Sequence, residues 1–375
     1  MKLLIVGMGL RASVMLKEMR KLEPDLEVCA VCDPDPAARD RLAEAYTGEA
    51  RFFGNLTDAL DWQTYDGAML ATRCNLHTEL ASLIMERNLP LFFEKPVGIS
   101  ESQIAALENA AKSYTSQAVC SFPLRVSPLC TLAREIVLSG ALGEVEQAQA
   151  VNNVPYGGVY YHNWYRDDSV TGGLWLQKAT HDFDYAIFLL GRQPAEICAM
   201  DAKRVFSGSK PAGLLCKDCE EYRTCPESPY VLKNIRYEEV TGEYCCFGED
   251  VGNQDSGSAL LRFDTGMHMA YSQNFYARKA AAKRGIRLLG TRGTLEFDWY
   301  AGELAVYSHE MPKVERHSFD AKKMGHFGGD RALAGNFLDV VRGGESAAPL
   351  GAGILSAKVC LAAEKSSREN RFVAV

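Results

Sequence analysis

Residues 2–33 read KLLIVGMGLRASVMLKEMRKLEPDLEVCAVCD, and a change of period inside this stretch decides the fold. Leu3, Leu4, Ile5 and Val6 form an unbroken apolar run ended by Gly7, the pattern of a strand buried on both faces of a parallel sheet. After Gly7-Met8-Gly9, apolar residues recur at three- and four-residue steps (Leu10, Val14, Met15, Met19, Leu22), which predicts an amphipathic helix. The strand therefore turns tightly through glycines into a helix. Glycines let a backbone approach a pyrophosphate closely, and a helix start offers unpaired N–H donors and a positive dipole end. A second apolar run, Val28 to Cys32, ends in Asp33, whose carboxylate can accept hydrogen bonds from adenosine ribose hydroxyls. Ala12 stands at the third glycine position of G-x-G-x-x-G, a tolerated replacement, and Arg11 is expected to place a cation beside the phosphates. A βα turn that binds no ligand would read the same way.

Outward from this turn, strands and helices alternate. Asp35 before Pro36 starts a helix over residues 37–45, Phe52-Phe53 is a short strand, and Thr57 is expected to cap a further helix. GAMLA at 67–71 reads as a fourth strand ending at Thr72, followed by a loop with Asn75 and His77. Leu91-Phe92-Phe93 is a fifth strand. Ser100 with Gln103 forms a capping box for a helix through Lys112, and residues 118–121 close the sheet. This alternation predicts an α/β domain of Rossmann type over residues 1–121, with ligands beyond the C-terminal strand ends.

The 375 residues suffice for two domains, each with its own core. A hydrophobic fraction of 47%, a charged fraction of 24% and no apolar run of spanning length describe a globular chain outside the membrane. The first apolar run is too short for a signal-peptide core, so a cytoplasmic location is expected. A net charge of −7 speaks against nucleic acid as partner, because phosphate contacts need clustered Lys and Arg. Small ligands are expected instead.

Residues 122–375 read as an α+β domain with a large open, mostly antiparallel sheet. Its clearest hairpin signal is Asp264-Thr265-Gly266, between strands at 258–263 and 267–272. YGGVYYHNWYR at 156–166, with Tyr161 inside it, is an aromatic loop that could cover a substrate or serve as core or oligomer contact. A helix opens after Gly172-Gly173 and runs to Leu190. On it Gln177, His181, Asp184 and Tyr185 are spaced to share one face. A histidine there can exchange a proton near neutral pH.

GMGLR at 7–11, TRCNLH at 72–77 and EKP at 94–96 resemble the glucose–fructose oxidoreductase, inositol dehydrogenase and rhizopine-catabolism (Gfo/Idh/MocA) family. GG followed by HDFD over 172–184, GTRGTLEFD over 290–298 and HFGGD over 326–330 extend the resemblance across nearly the whole chain. It implies an NAD(P)-dependent oxidoreductase acting on CH–OH groups of a sugar, sugar derivative or cyclitol. It also implies a cofactor held around Gly7, Gly9, Leu10, Arg11, Asp33, Thr72, Asn75, His77, Glu94 and Lys95. Lys95 and His181 would be catalytic; Gln177, Lys178, Asp184 and Tyr161 would face the substrate. Many relatives carry Asp where this chain has Gln177, and an amide is no base; Lys178 could instead attract an acidic group or be a solvated helix lysine. Asp33 with no adjacent Arg favours NAD over NADP. A homodimer or homotetramer through the C-terminal sheet is implied too. Two other readings fit the same residues: a glycosidase using tightly bound NAD for transient oxidation, known in relatives, and a non-catalytic NAD-binding regulator, a class the fold also supports.

CKDCEEYRTC places Cys216, Cys219 and Cys225 close in sequence, with Cys245-Cys246 following. With Cys245 as fourth ligand this is compatible with structural zinc, although a second C-x-x-C is missing; free thiols or a disulfide fit the same residues.

Overall fold

The computed structural model describes residues 1–240, 242–320 and 324–375. Its six-stranded sheet is entirely parallel, in the order β3-β2-β1-β4-β5-β6. The strands are β1 (Lys2–Val6), β2 (Glu27–Cys32), β3 (Arg51–Phe53), β4 (Gly67–Leu70), β5 (Leu91–Phe93) and β6 (Ala118–Cys120). From Leu3 to Val6 no residue exceeds 1% exposure, as two covered faces require. Sequence and structure agree on the capping box, with Ser100 accepting from the Gln103 N–H and Gln103 from the Ile99 N–H. They differ at Thr57. The helix Leu56–Trp62 is capped by Asn55, which accepts the Asp58 N–H at 2.9 Å, because Asn55 and not Thr57 has the extended backbone of a cap.

The second sheet has nine strands in the order β14-β13-β12-β11-β7-β10-β9-β8-β15. These are β7 (Val145–Asn153), β8 (Pro194–Ala202), β9 (Ser256–Phe263), β10 (His268–Asn274), β11 (Lys283–Gly290), β12 (Gly293–Asp298), β13 (Glu303–Ser308), β14 (Val314–Ser318) and β15 (Val373–Ala374). Every pairing is antiparallel except β7 with β10.

The chain packs as two units. Unit 1 comprises Met1–Glu135, Phe183–Leu189 and Asp320–Leu361; unit 2 comprises Ile136–Asp182, Leu190–Phe319 and Ala362–Val375. Where the sequence suggests one cut after residue 121, two later segments return to unit 1. Apolar packing explains the second: Phe337 of the helix Gly329–Val341 meets the Phe92 ring edge-on at 5.8 Å, and the Cys120 N–H donates to the Ala348 carbonyl at 2.7 Å. Within the first, Asp184 holds the Arg125 guanidinium through two hydrogen bonds of 2.5 and 3.0 Å.

A second charge cluster in unit 1 fixes the strand ends. Arg11, in the first turn of the helix Leu10–Leu22, donates from Nε to Glu94 after β5 at 2.8 Å and from Nη2 to Ser121 after β6 at 3.0 Å. Its Nη1 lies 2.7 Å from Asp330 in the helix Gly329–Val341. His326 Nδ1 completes the cluster, 2.9 Å from Asp330. Burial raises the Asp330 pKa, but the His326 hydrogen bond and the Arg11 charge outweigh it and hold the carboxyl below its usual range.

Removing Arg11 leaves two nearly buried carboxylates without their cation. Arg11→Met is expected to cost about 3–5 kcal/mol in denaturant unfolding at pH 7. A depressed folded-state pKa stabilises above the unfolded value of about 3.9 and loses that contribution as pH falls through the folded value. Asp330→Asn should therefore weaken the fold at neutral pH, with the gap to wild type closing progressively below about pH 4.

Candidate active site

In unit 1, Gly7, Asp33, Thr72 and Glu94 each stand just past a parallel strand, so one sheet edge gathers four motifs. Gly7 has φ +84°, and a Cβ there would lie 2.7 Å from the Ala71 carbonyl oxygen, so only glycine fits this crossing. At Gly9 a Cβ would meet nothing within 4 Å. The helix that follows has no side-chain cap and no acidic residue in its first turn, and Leu10 is 81% exposed. An open, uncapped helix start behind a glycine turn suits an anionic pyrophosphate.

Asp33 is fixed by the Met8 N–H at 2.7 Å and the Asp35 N–H at 2.9 Å. Arg41 was not anticipated here. It donates to the Met8 carbonyl at 2.5 Å and to Asp35 at 2.9 Å, and its Nη2 is 3.9 Å from the Asp33 carboxylate. The expectation of no arginine beside Asp33 is thus corrected: the helix Ala38–Ala43 folds back and brings one in across eight residues. These groups, with the buried Asn75 Oδ1 that has no hydrogen-bond partner among the described residues, fit a dinucleotide: a carboxylate for ribose, open N–H groups for phosphate, and an acceptor beyond β4.

Three other expected cofactor contacts are spent inside the protein. Arg11 and Glu94 neutralise each other in the charge cluster, so Arg11 is no free cation for phosphate. His77 is 1% exposed, with Nδ1 2.7 Å from the Pro96 carbonyl and Nε2 3.2 Å from the Thr72 carbonyl. Burial pushes its pKa down against the pull of Pro96 and Thr72, whose carbonyls favour the charged ring, and the imidazole braces two strand-end loops. Lys95, partly buried, stands in the second of these loops, joined to Pro96 by a cis peptide bond.

Trp175–Ala179, in unit 2, forms a π-helical turn that runs into the α-helix Thr180–Leu190, whose residues Phe183–Leu189 belong to unit 1. A π turn takes in an extra residue, so the shared face expected for Gln177 and His181 does not follow from α-helical spacing. Gln177 is 2% exposed and its amide donates to the Thr171 carbonyl at 3.0 Å. His181 is 6% exposed at the head of the α-helix. Lys178 is 5% exposed and hydrogen-bonded to the Tyr156 hydroxyl, which corrects the solvated-lysine expectation. Asp184 is corrected as well: its carboxylate is fully engaged by Arg125 and 1% exposed. So is Tyr161, which is 0% exposed, stacked on Phe206 at 4.0 Å and bonded to the Gln254 carbonyl. It belongs to the core cluster with Val154, Leu174 and Phe275, not to a substrate cover.

The residue missed in the sequence is Asp182. It is 0% exposed and accepts from Asn152 (2.6 Å), Tyr271 (2.8 Å) and Arg284 (2.8 Å), making it the centre of a buried polar cluster. Its partners lie on β7, β10 and β11, and no local pattern announces them.

The expected zinc site is not assembled. Among the described residues no group of three or more His, Cys, Asp or Glu is arranged to hold a metal ion. Burial first, then Cys245, Cys225 and Cys219, push the Cys216 thiol up to about 12, and it donates to the Tyr244 carbonyl at 3.4 Å. Among the described residues no helix is long and apolar enough to cross a membrane.

Comparison with known proteins accords with this geometry. Residues 1–122 match the GFO/IDH/MocA model described as an oxidoreductase family with an NAD-binding Rossmann fold, and residues 131–296 match the GFO/IDH/MocA C-terminal domain. Bacillus subtilis (strain 168) YteT, an oxidoreductase by name only, is 24% identical over 87% of this chain and 86% of its own length. Inositol 2-dehydrogenase of Rhizobium meliloti is 26% identical over 50% of this chain, which spans 55% of that protein. Levoglucosan dehydrogenase, solved with NADH and levoglucosan, superposes with a TM-score of 0.79 at 17% identity, covering 100% of this chain and 99% of its own. Myo-inositol 2-dehydrogenase from Lactobacillus plantarum gives 0.73 at 16% identity over 100% and 99%. At such identities the superpositions establish a shared fold. With its NAD-binding Rossmann domain and its matching C-terminal domain, the chain belongs to the GFO/IDH/MocA oxidoreductase family.

Proposed function

We propose that this chain moves a hydride between a hydroxyl-bearing carbon of a sugar, sugar derivative or cyclitol and NAD. The observation that carries the reading is Lys95, a partly buried lysine at a strand end next to Glu94, which Arg11 anchors at 2.8 Å. The names of the inositol and levoglucosan dehydrogenases support the substrate class. Bound nicotinamide supplies the hydride acceptor or donor. Lys95 holds the reacting oxygen and stabilises the charge that builds on it as its proton leaves. His181 assists as acid or base. Gly7, Gly9, Leu10, Asp33, Thr72 and Asn75 hold the dinucleotide. Asp33 favours NAD, since a carboxylate repels a 2′-phosphate, and Arg41 is already held by Asp35 and the Met8 carbonyl. Cysteines buried as small hydrophobes, among them Cys29, Cys32, Cys120 and Cys130, suit a reducing, cytoplasmic compartment.

The nine-stranded sheet carries a concavity of about 730 Å³ on one face, bordered by Met200, Leu260 and Tyr271. Met200 is 69% and Leu260 51% exposed. A second copy of the chain covering this face is the dimer contact within the proposed homodimer or homotetramer.

Absorbance of reduced nicotinamide, with NAD and a panel of sugars, uronates and inositols, tests the reaction. Wild type should reduce NAD with one class, and Lys95→Ala should lower kcat by about a hundredfold or more while NAD still binds. Turnover unchanged in the variant refutes the role of Lys95. Leu260→Asp, which puts a charge on the apolar face, should shift the sedimentation coefficient toward monomer; an unchanged value refutes the sheet contact.

A further inference from the structure

The turn after β2 reads DPDPA over residues 33–37, and its hydrogen-bond donors are few. Pro34 and Pro36 have no N–H to give. The Asp33 N–H is spent on the Phe53 carbonyl at 3.2 Å, the Asp35 N–H on Asp33 Oδ1 at 2.9 Å and the Ala37 N–H on Asp35 Oδ1 at 3.0 Å. The helix Ala38–Ala43 adds two arginines. Arg39 lies with its guanidinium 4.1 Å from the centre of the Phe52 ring. Arg41 donates to Asp35 Oδ2 at 2.9 Å and to the Met8 carbonyl at 2.5 Å.

Asp35 is thus held as an anion at both oxygens, one by a backbone N–H and the other by a guanidinium. The Ala37 hydrogen bond first, and Arg41 after it, keep its carboxyl below the usual range, so it is charged at neutral pH. The pair adds little to stability, because the Asp35 side chain is 52% exposed and that of Arg41 31%. What matters is which partners it occupies. Asp33, the carboxylate read as meeting the adenosine ribose, takes the Met8 N–H at 2.7 Å and lies 3.9 Å from Arg41 Nη2. A phosphate on the ribose 2′ oxygen would stand beside Asp33, and it would need a backbone N–H and a guanidinium, the two kinds of partner that Asp35 already holds.

We propose that the Asp35 carboxylate is a built-in substitute for a 2′-phosphate: it occupies the Ala37 N–H and Arg41, denies NADP its cation, and so acts as a second specificity-determining residue beside Asp33. The proposal rests on the NAD reading above. Two carboxylates face one guanidinium here, so the turn stays negative. A ribose diol tolerates that field, whereas a phosphate monoester of charge about −2 is repelled by it. Asp33 alone would leave Arg41 able to turn from the Met8 carbonyl toward the phosphate. Asp35 gives it a fixed anion instead, so the same arginine that could read NADP is kept on the protein. All of these groups belong to unit 1.

Calorimetric titration of the full chain with NAD and with NADP tests this without any need for a substrate. Wild type should bind NAD the more tightly. Asp35→Asn keeps an oxygen for the Ala37 N–H and removes the charge that holds Arg41, so NADP should bind about tenfold more tightly than to wild type. Asp35→Asn combined with Arg41→Met should lose that gain, because the cation for the 2′-phosphate is gone. Asp40→Asn removes the same charge from an exposed position on the same helix and should leave NADP binding within about twofold of wild type, as screening weakens a charge not in contact. An Asp35→Asn variant with wild-type NADP affinity, a gain that Asp40→Asn reproduces, or a double variant that keeps the gain overturns the proposal and leaves the NAD reading intact. A wild type that binds NADP at least as tightly as NAD overturns that reading and the proposal with it.

Discussion

The ion pair between Arg11 and Glu94 is the constraint on which unit 1 depends. One guanidinium joins the first turn of the glycine-led helix to the ends of β5 and β6 and to the helix Gly329–Val341. A bare carboxylate buried at Glu94 would cost several kcal/mol, so the pair forces these segments into one arrangement. Lys95 is the next residue, and its backbone starts from that fixed point. Arginine suits the task because its planar fork can meet three partners at once, which a lysine cannot. The G-x-G-x-R and E-K-P motifs, 83 residues apart, are thus two halves of one electrostatic contact.

Unit 2 uses the same device around Asp182. A fully buried carboxylate collects donors from three strands, and each donor loses less by being buried because the charge is met. Breaking one member would leave the others unsatisfied in a dry interior. The cluster also neutralises Arg284, and that sets the field felt by Tyr156 and Lys178. In both units a carboxylate–guanidinium pair fixes the segments around a neighbouring lysine, Arg11–Glu94 beside Lys95 and Arg284–Asp182 beside Lys178.

Much of unit 1 was legible because its strands are contiguous apolar runs with glycine or a polar residue at each end. Gly7, Asp33 and Thr72 were correctly read at strand ends, since a parallel strand ends where its apolar run ends. What each charge does was not legible. Arg11 and Glu94 read as ligand contacts because their partners, each other and Asp330, are distant in sequence. In unit 2 the hairpin at Asp264-Thr265-Gly266 was visible, but the parallel pairing of β7 with β10 was not, because Gln147 meets His268 across 121 residues. The π turn over Trp175–Ala179 takes away the single helical pitch on which the face reading for Gln177 and His181 relied. Asp184 was chosen over Asp182 for the same reason: both are acidic and two residues apart, and only packing tells which is the hub and which is paired with Arg125.

The central claim, that substrate hydride passes to the nicotinamide, is tested most directly by isotope. A polyol carrying deuterium on its carbinol carbon, incubated with the chain and NAD, should yield reduced nicotinamide bearing that deuterium when analysed by mass spectrometry. Bound NAD that acquires no deuterium from any sugar or cyclitol in the panel would contradict the account.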